Sequence, residues 1–136
     1  NNLWYMRGRA DDVINVSGHR MSTAEIEHTV ISHKKISDAA SVSIPDELTG
    51  EAIVVFFVSE NKNDKGLEPI IMEHISQKIG KIAKPKLIFQ ISDLPKTRTG
   101  KIMRRLLKSK LMGMELGDLS SLENPDILLE IDELKI

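Results

Sequence analysis

Apolar residues fall along this chain in three rhythms. Residues 52–58 form an unbroken apolar run, the pattern of a central strand covered on both faces. Residues 37–44 alternate, with Ala39, Ser41 and Ser43 opposite Ala40, Val42 and Ile44, which predicts a half-buried strand. Leu67, Ile70, Ile71, Ile75 and Ile79 recur at helical spacing. Pro69 fits only the first turn of that helix, and Gly80 ends it. Ser22-Thr23-Ala24-Glu25 is a Ser-x-x-Glu capping box ahead of Ile26, Val30 and Ile31, so a helix opens at Ser22 and closes near His33-Lys34. Residues 87–91 predict a third core strand. Residues 102–112 predict an amphipathic helix, with Ile102, Leu106 and Leu107 against Arg104, Arg105 and Lys108, stopped by Gly113. Before all of these, residues 3–9 and 13–17 are β-prone and flank Ala10-Asp11-Asp12, which predicts a hairpin. Gly18 then breaks the backbone. The order β-β-α-β-β-α-β-α implies an α+β fold: a small mixed or antiparallel sheet flanked by helices and preceded by a short hairpin.

Composition narrows the function classes. With 136 residues, 40% hydrophobic and 29% charged, the chain suits one globular domain. The absence of cysteine excludes disulfides, thiol catalysis and Cys-bearing zinc sites. His28 and His33 are five apart with no partner in ligand register, so no metal site is expected in this domain. No apolar run approaches the ~18 residues of a membrane span. The N-terminus has neither a basic nor an apolar leader segment, and the reading is a cytoplasmic protein. Asn1 leads almost at once into Leu3-Trp4-Tyr5-Met6, an abrupt start that suggests a piece of a larger protein.

Charge changes the picture more. The formal net charge is −1. Residues 1–77 nevertheless carry 7 Lys/Arg against 12 Asp/Glu, residues 78–110 carry 11 against Asp93 alone, and residues 111–136 carry Lys135 against 7 acids. The central block, net +10, reads as a locally positive face. Within it, Leu94-Pro95-Lys96-Thr97-Arg98-Thr99-Gly100-Lys101 ends in Gly-Lys. A phosphate-binding P-loop fails, because position 95 is Pro where Gly is needed and Ile102 stands where Ser or Thr is needed. A solvated basic loop remains open. Against it, Lys101 reads as the start of a helix, where the dipole disfavours a cation, so its placement suits binding of an anion. The second notable segment is Gly8-Arg9-Ala10-Asp11-Asp12-Val13-Ile14-Asn15-Val16-Ser17-Gly18-His19-Arg20, in which Gly18 serves a turn or a function.

Together the motifs Gly8–Glu27 and Leu94–Arg105, about 75 residues apart, resemble the C-terminal domain of AMP-forming acyl-CoA synthetases, the adenylate-forming enzymes. Ser17-Gly18-His19-Arg20 and Thr23-Ala24-Glu25-Ile26-Glu27 look closest to the acetyl-CoA and propionyl-CoA synthetases. The tail Gly117-Asp118-Leu119-Ser120-Ser121-Leu122-Glu123-Asn124-Pro125 is also similar to the end of those enzymes.

The resemblance implies a mobile lid domain over residues 1–113, an acidic tail over residues 114–136, and a large N-terminal catalytic domain outside this chain. It implies ATP, CoA and a short-chain carboxylate as substrates, with Mg supplied at the N-terminal domain. Lys101 matches the adenylation lysine. Asp11 matches the hinge, and Arg20 a residue near the AMP phosphate. Ser17 and Gly18 match positions beside the pantetheine tunnel, with Asn15 in the same stretch. The acetyl-type arginine that meets the CoA 3′-phosphate is replaced by Ser76, leaving Lys78, Lys81 or Lys84 as substitutes. Ser22 also departs from the glycine usual before Thr-Ala-Glu. In many acetyl-type enzymes the lysine matching Lys101 is reversibly acetylated, which makes a lysine acetyltransferase and a deacetylase candidate partners. The alternatives are a basic module that binds nucleic acid, or a stand-alone partner protein of the same fold without catalysis. The first is disfavoured because the basic block has only Phe89 for stacking.

Overall fold

The computed structural model describes residues 13–48, 50–61, 63–113, 119 and 122–132. In chain order the elements are β1 (Val13–Val16), β2 (His19–Ser22), α1 (Thr23–Ile31), β3 (Ile36–Asp46), β4 (Gly50–Ser59), α2 (Glu68–Lys78), β5 (Leu87–Gln90), α3 (Arg104–Leu111) and α4 (Ile127–Asp132), with one 3-10 turn over Lys81–Ala83.

The long apolar run becomes β4, and every other strand is placed by it. A strand has two edges. β3 takes one along its whole length, antiparallel, from Ile36↔Ser59 to Asp46↔Gly50. The other edge is shared: β1 meets it antiparallel at Val16↔Gly50, and β5 meets it parallel from Val54↔Leu87 to Phe57↔Gln90. β2 lies outside β1. The sheet is therefore mixed and mostly antiparallel, as the sequence pattern implies. Successive side chains of β4 point to opposite faces and feed two cores. Ile53, Val55 and Phe57 meet Ile26, Val30, Ile71 and Ile75 from α1 and α2. Val54 and Phe56 meet Leu94, Leu107, Ile127 and Ile131 on the other side.

Four sequence expectations shift. The described hairpin pairs β1 with β2, a strand that the sequence pattern does not predict; the expected pairing of residues 3–9 with 13–17, and Asp11 with it, lies outside the described residues. Its two-residue turn has both central residues left-handed, Ser17 at φ 50 and Gly18 at φ 82, the geometry that matches the twist of tight hairpins. Of His19-Arg20-Met21-Ser22 only Met21 is buried, so this strand carries almost no apolar signal. Secondly, α3 begins at Arg104, so Lys101 lies outside the helix and the dipole argument does not apply to it. Thirdly, the acidic tail contains α4, whose Ile127 and Ile131 are buried in the second core.

The fourth shift concerns β3, which is buried on both faces, Ser41 completely. It is an edge strand whose polar face is roofed by α1. The Ser41 amide donates to Glu27 Oε2 (2.7 Å), and Ser41 Oγ donates to Thr23 O (3.1 Å). Ser43 Oγ donates to Glu51 Oε2 at 2.8 Å. Glu27 is 6% exposed. Its carboxylate accepts from Arg104 Nε at 2.7 Å, and Arg104 Nη2 donates to Glu27 Oε1. Arg104 belongs to α3, whose Leu107 packs in the other core. The pair thus wraps the sheet edge and ties the two layers.

Ser22 caps α1 at the expected place, its Oγ accepting from Ala24 N at 3.1 Å rather than from Glu25 N as in a capping box.

Removing Arg104 would leave a buried carboxylate without its cation. Arg104→Ala should lower stability by about 3 kcal/mol, the low end for a buried pair because the arginine is partly exposed. The double replacement Glu27→Gln with Arg104→Met should cost less than Arg104→Ala. Urea denaturation of the variants checks both, and a double variant weaker than the single would refute the coupling.

Candidate functional site

Lys101 sits in a hairpin rather than on a helix. Lys96 and Ile102 form an antiparallel bridge that closes it. Gly100 N donates to Thr97 O (2.9 Å), and Thr97 N donates to Lys101 O (2.9 Å). Thr97 Oγ1 also accepts from Lys101 N (3.1 Å). Gly100 has φ 90, a left-handed residue after a tight turn, which makes a three-residue loop with a bulge. Glycine is required here by the backbone alone, since an added Cβ would meet nothing within 4 Å. The effect is to lock the Lys101 backbone through both its polar groups while its side chain stays exposed. The sequence reading missed this hairpin because Lys96 and Ile102 are too short a pair to show alternation; Thr-x-Thr-Gly was its one local signal.

The base of the hairpin is fixed in turn. Lys96 Nζ lies 2.6 Å from Asp38 on β3 and 3.9 Å from Asp93. The Asp38 hydrogen bond raises the Lys96 pKa above its ordinary value, with Asp38 and Asp93 charge adding to it.

The other candidates gather elsewhere. Asn15 and Arg20 are cross-strand neighbours on the exposed face of the β1–β2 hairpin, and Ser17 and Gly18 form its tip. The Asn15 amide donates to Glu51 Oε1 at 2.8 Å. At Gly18, as at Gly100, the positive φ explains the residue, and a Cβ would meet nothing within 4 Å.

Lys78, Lys81 and Lys84 are exposed, Lys78 at the end of α2 and the other two between α2 and β5. Lys86, just beyond them, bonds Ile53 O and Asp46, which brings this segment to the Gly50 end of β4. That is the end reached by β1. Ser76 is half-buried on α2.

Two groups therefore emerge at opposite ends of one sheet. The Lys101 hairpin is tied to Asp38, which pairs with Val58. The β1–β2 hairpin meets Gly50, eight residues down β4, or roughly 27 Å at ~3.4 Å per residue. Since β1 runs antiparallel to β4, its turn points away from the Lys101 end. The basic block is likewise not one face. It divides between these two ends and α3, and several members are paired: Lys86 with Asp46, Arg98 with Glu123, Arg104 with Glu27 and Lys110 with Asp132.

Residues 25–101 match the family described as the AMP-binding enzyme C-terminal domain. The chain belongs to that family. Among its relatives, an acetyl-coenzyme A synthetase of Penicillium chrysogenum is 47% identical over 96% of this chain and 20% of its own. One from Methanothrix thermoacetophila is 42% identical over 90% of this chain and 19% of its own. The crystal structure of a Brucella canis acyl-CoA synthetase superposes with a TM-score of 0.70 at 31% identity, covering 78% of this chain and 20% of that one. The chain thus spans about a fifth of the length of the curated relatives it matches. The family match ends at Lys101 and begins after the β1–β2 hairpin. No helix among the described residues is long and apolar enough to cross a membrane.

Two histidines, His33 and His74, have structural partners. His74 Nε2 lies 2.9 Å from Thr29 O and so carries the proton. His33 Nδ1 accepts from Lys35 N at 3.2 Å, and its ring meets His74 edge-on at 5.1 Å. Burial, and then the charges of His74, Lys35 and Lys34, lower the His33 pKa from its ordinary value of 6.5. The folded state then binds fewer protons than the unfolded one just below that value. Stability should be fully present above pH 6.5 and fall as pH drops through the lower folded value. Thermal midpoints between pH 7.5 and 5.5 check this, and His33→Gln should flatten the slope.

Proposed function

We propose that this chain is the mobile C-terminal domain of an AMP-forming, acetyl-type acyl-CoA synthetase. The complete enzyme would join a short-chain carboxylate to ATP, giving acyl-adenylate and pyrophosphate, and then let the CoA thiol displace AMP. The observation that carries the reading is that two sets of candidate residues leave one sheet at points roughly 27 Å apart along β4, in a chain of this family. Groups so far apart cannot serve one reacting centre together. A single active site can use both only if the domain rotates between the steps.

In the first step Lys101 would contact the carboxylate and the α-phosphate of ATP. A fixed ammonium there offsets the negative charge of both reactants as they approach. In the second, the β1–β2 hairpin would face the site, with Arg20 near the AMP phosphate and Ser17, Gly18 and Asn15 beside the pantetheine arm. Lys78, Lys81 and Lys84 share that end of the sheet and suit the CoA 3′-phosphate, which Ser76 cannot neutralise. Asp11 would be the hinge. Mg with ATP, and the acyl pocket, belong in this reading to the large N-terminal domain.

Residues 1–113 would form the lid and residues 114–136 its acidic tail. The burial of Ile127 and Ile131 supports α4 travelling with the lid. The acetyl type is supported by the names of the relatives. Acetylation of Lys101 by a lysine acetyltransferase would remove the charge that the first step uses, and a deacetylase would restore it. The place of action is proposed to be the cytoplasm. A basic module without catalysis is not favoured by the family match, nor by the division of the positive charge between two ends.

The two steps can be assayed apart. In the complete enzyme, Lys101→Ala should abolish carboxylate-dependent pyrophosphate exchange yet spare thioester formation from supplied acyl-adenylate. Gly18→Leu should do the reverse. Gly18→Asn tolerates the turn but still adds a side chain, so thioester loss in that variant would assign the effect to the tunnel rather than to the hairpin. Equal loss of both steps in Lys101→Ala would refute the assignment. The isolated chain should make no acyl-CoA.

A further inference from the structure

The Lys101 hairpin has a third strand-like neighbour, and it comes from the acidic tail. Thr97 and Leu122 form an antiparallel bridge, and Glu123 N donates to Lys96 O at 2.8 Å. Arg98 lies 3.6 Å from the Glu123 carboxylate. Next comes Asn124, whose side chain uses both ends. Its Oδ1 accepts from Lys96 N (3.0 Å), and its Nδ2 donates to Leu94 O (2.7 Å) and Asp93 Oδ2 (3.2 Å). An amide is the side-chain type that accepts and donates at once to backbone groups two residues apart.

These contacts fall on the base of the hairpin. Lys96 is the residue bridged to Ile102, and its backbone N–H and C=O both go to the tail. A three-residue loop inherits its orientation from the bridge that closes it, so the direction of Lys101 depends on what holds Lys96. The lysine side chain itself has no hydrogen-bond partner or ion pair among the described residues. Its aim is set through its backbone alone.

We propose that Asn124 is a positioning residue for adenylation. It fixes residues 94–96 so that the hairpin presents Lys101 to the reacting carboxylate and phosphate. It touches neither substrate, and it acts at the end of the sheet remote from the β1–β2 hairpin. The inference rests on the function proposed for Lys101. It predicts that a residue far along the tail affects one half-reaction and not the other.

The complete enzyme carrying Asn124→Ala tests it, with Lys101→Ala alongside. Small misplacements of a reacting group cost up to about a hundredfold. Asn124→Ala should therefore lower kcat for pyrophosphate exchange by about ten- to a hundredfold, with KM for ATP little changed. Thioester formation from supplied acyl-adenylate should remain near wild type, which also reports that the variant is folded. Asn124→Asp keeps an acceptor for Lys96 N but sets a carboxylate oxygen against Leu94 O and Asp93, so it should recover only part of the lost rate. Equal loss in both half-reactions, or no loss in pyrophosphate exchange, would overturn the proposal. If Lys101→Ala itself left pyrophosphate exchange intact, the role given to Lys101 would fail instead. Should Asn124→Ala not fold, Asn124→Asp decides alone: a selective deficit smaller than that of Lys101→Ala supports the proposal, and an equal deficit in both steps sinks it.

Discussion

The buried carboxylate of Glu27 is the contact on which the two layers of this domain depend. β3 is an edge strand, and its outward amides need acceptors once α1 covers them. Glu27 supplies one to Ser41, and in doing so would place a charge where water cannot reach it. Arg104 answers that charge from the far layer. Neither the strand edge nor the anion is satisfied alone; a buried anion is tolerable only with a cation and hydrogen bonds in place. The same pair sets the start of α3, because Arg104 is its first residue. The hairpin bearing Lys101 is therefore strung between two anchors, Lys96 on Asp38 and Arg104 on Glu27.

This arrangement separates stiffness from reactivity. β4 is paired along both edges and packed on both faces, so it can hold a fixed spacing. The candidate groups sit on its extensions, in two tight turns that each contain a left-handed glycine, Gly18 and Gly100. Both turns project polar side chains from a backbone whose hydrogen bonds are made. Lys101 has a bonded backbone and an exposed ammonium. That combination limits where the charge can go without quenching it in an ion pair.

How much of this was legible in the sequence follows from where each signal resides. Residues 52–58 announced a doubly covered strand because both faces of β4 are apolar. The α1 cap and the α2 period were local and appeared where expected, with bounds within a few residues. β2 left almost no trace, since its single buried residue is Met21 and its turn is Ser-Gly rather than Asn-Gly. β3 was read as half-buried because Ser41 and Ser43 look like solvent positions; their partners Glu27, Thr23 and Glu51 are distant in sequence. Lys101 was singled out by its motif, yet its local structure was misassigned, because the apolar Ile102 extends the α3 pattern backward while Thr97 closes a hairpin instead. Asn124 makes its contacts across some thirty residues, and no local pattern encodes such pairs.

The stitch between residues 93–98 and residues 122–124 has a consequence in time as well as space. A chain is made from its N-terminus, while a domain generally folds as a unit. The sheet, both candidate hairpins and α3 are all synthesised before Asn124. A domain that folds as one unit must therefore wait for the segment that holds Asn124, which also brings Ile127 and Ile131 to the second core. Only the arrival of the last described segment closes the ladder beside Lys96. The bracing of the Lys101 hairpin and the closing of the second core would then be one event, and it depends on the last described segment having been made.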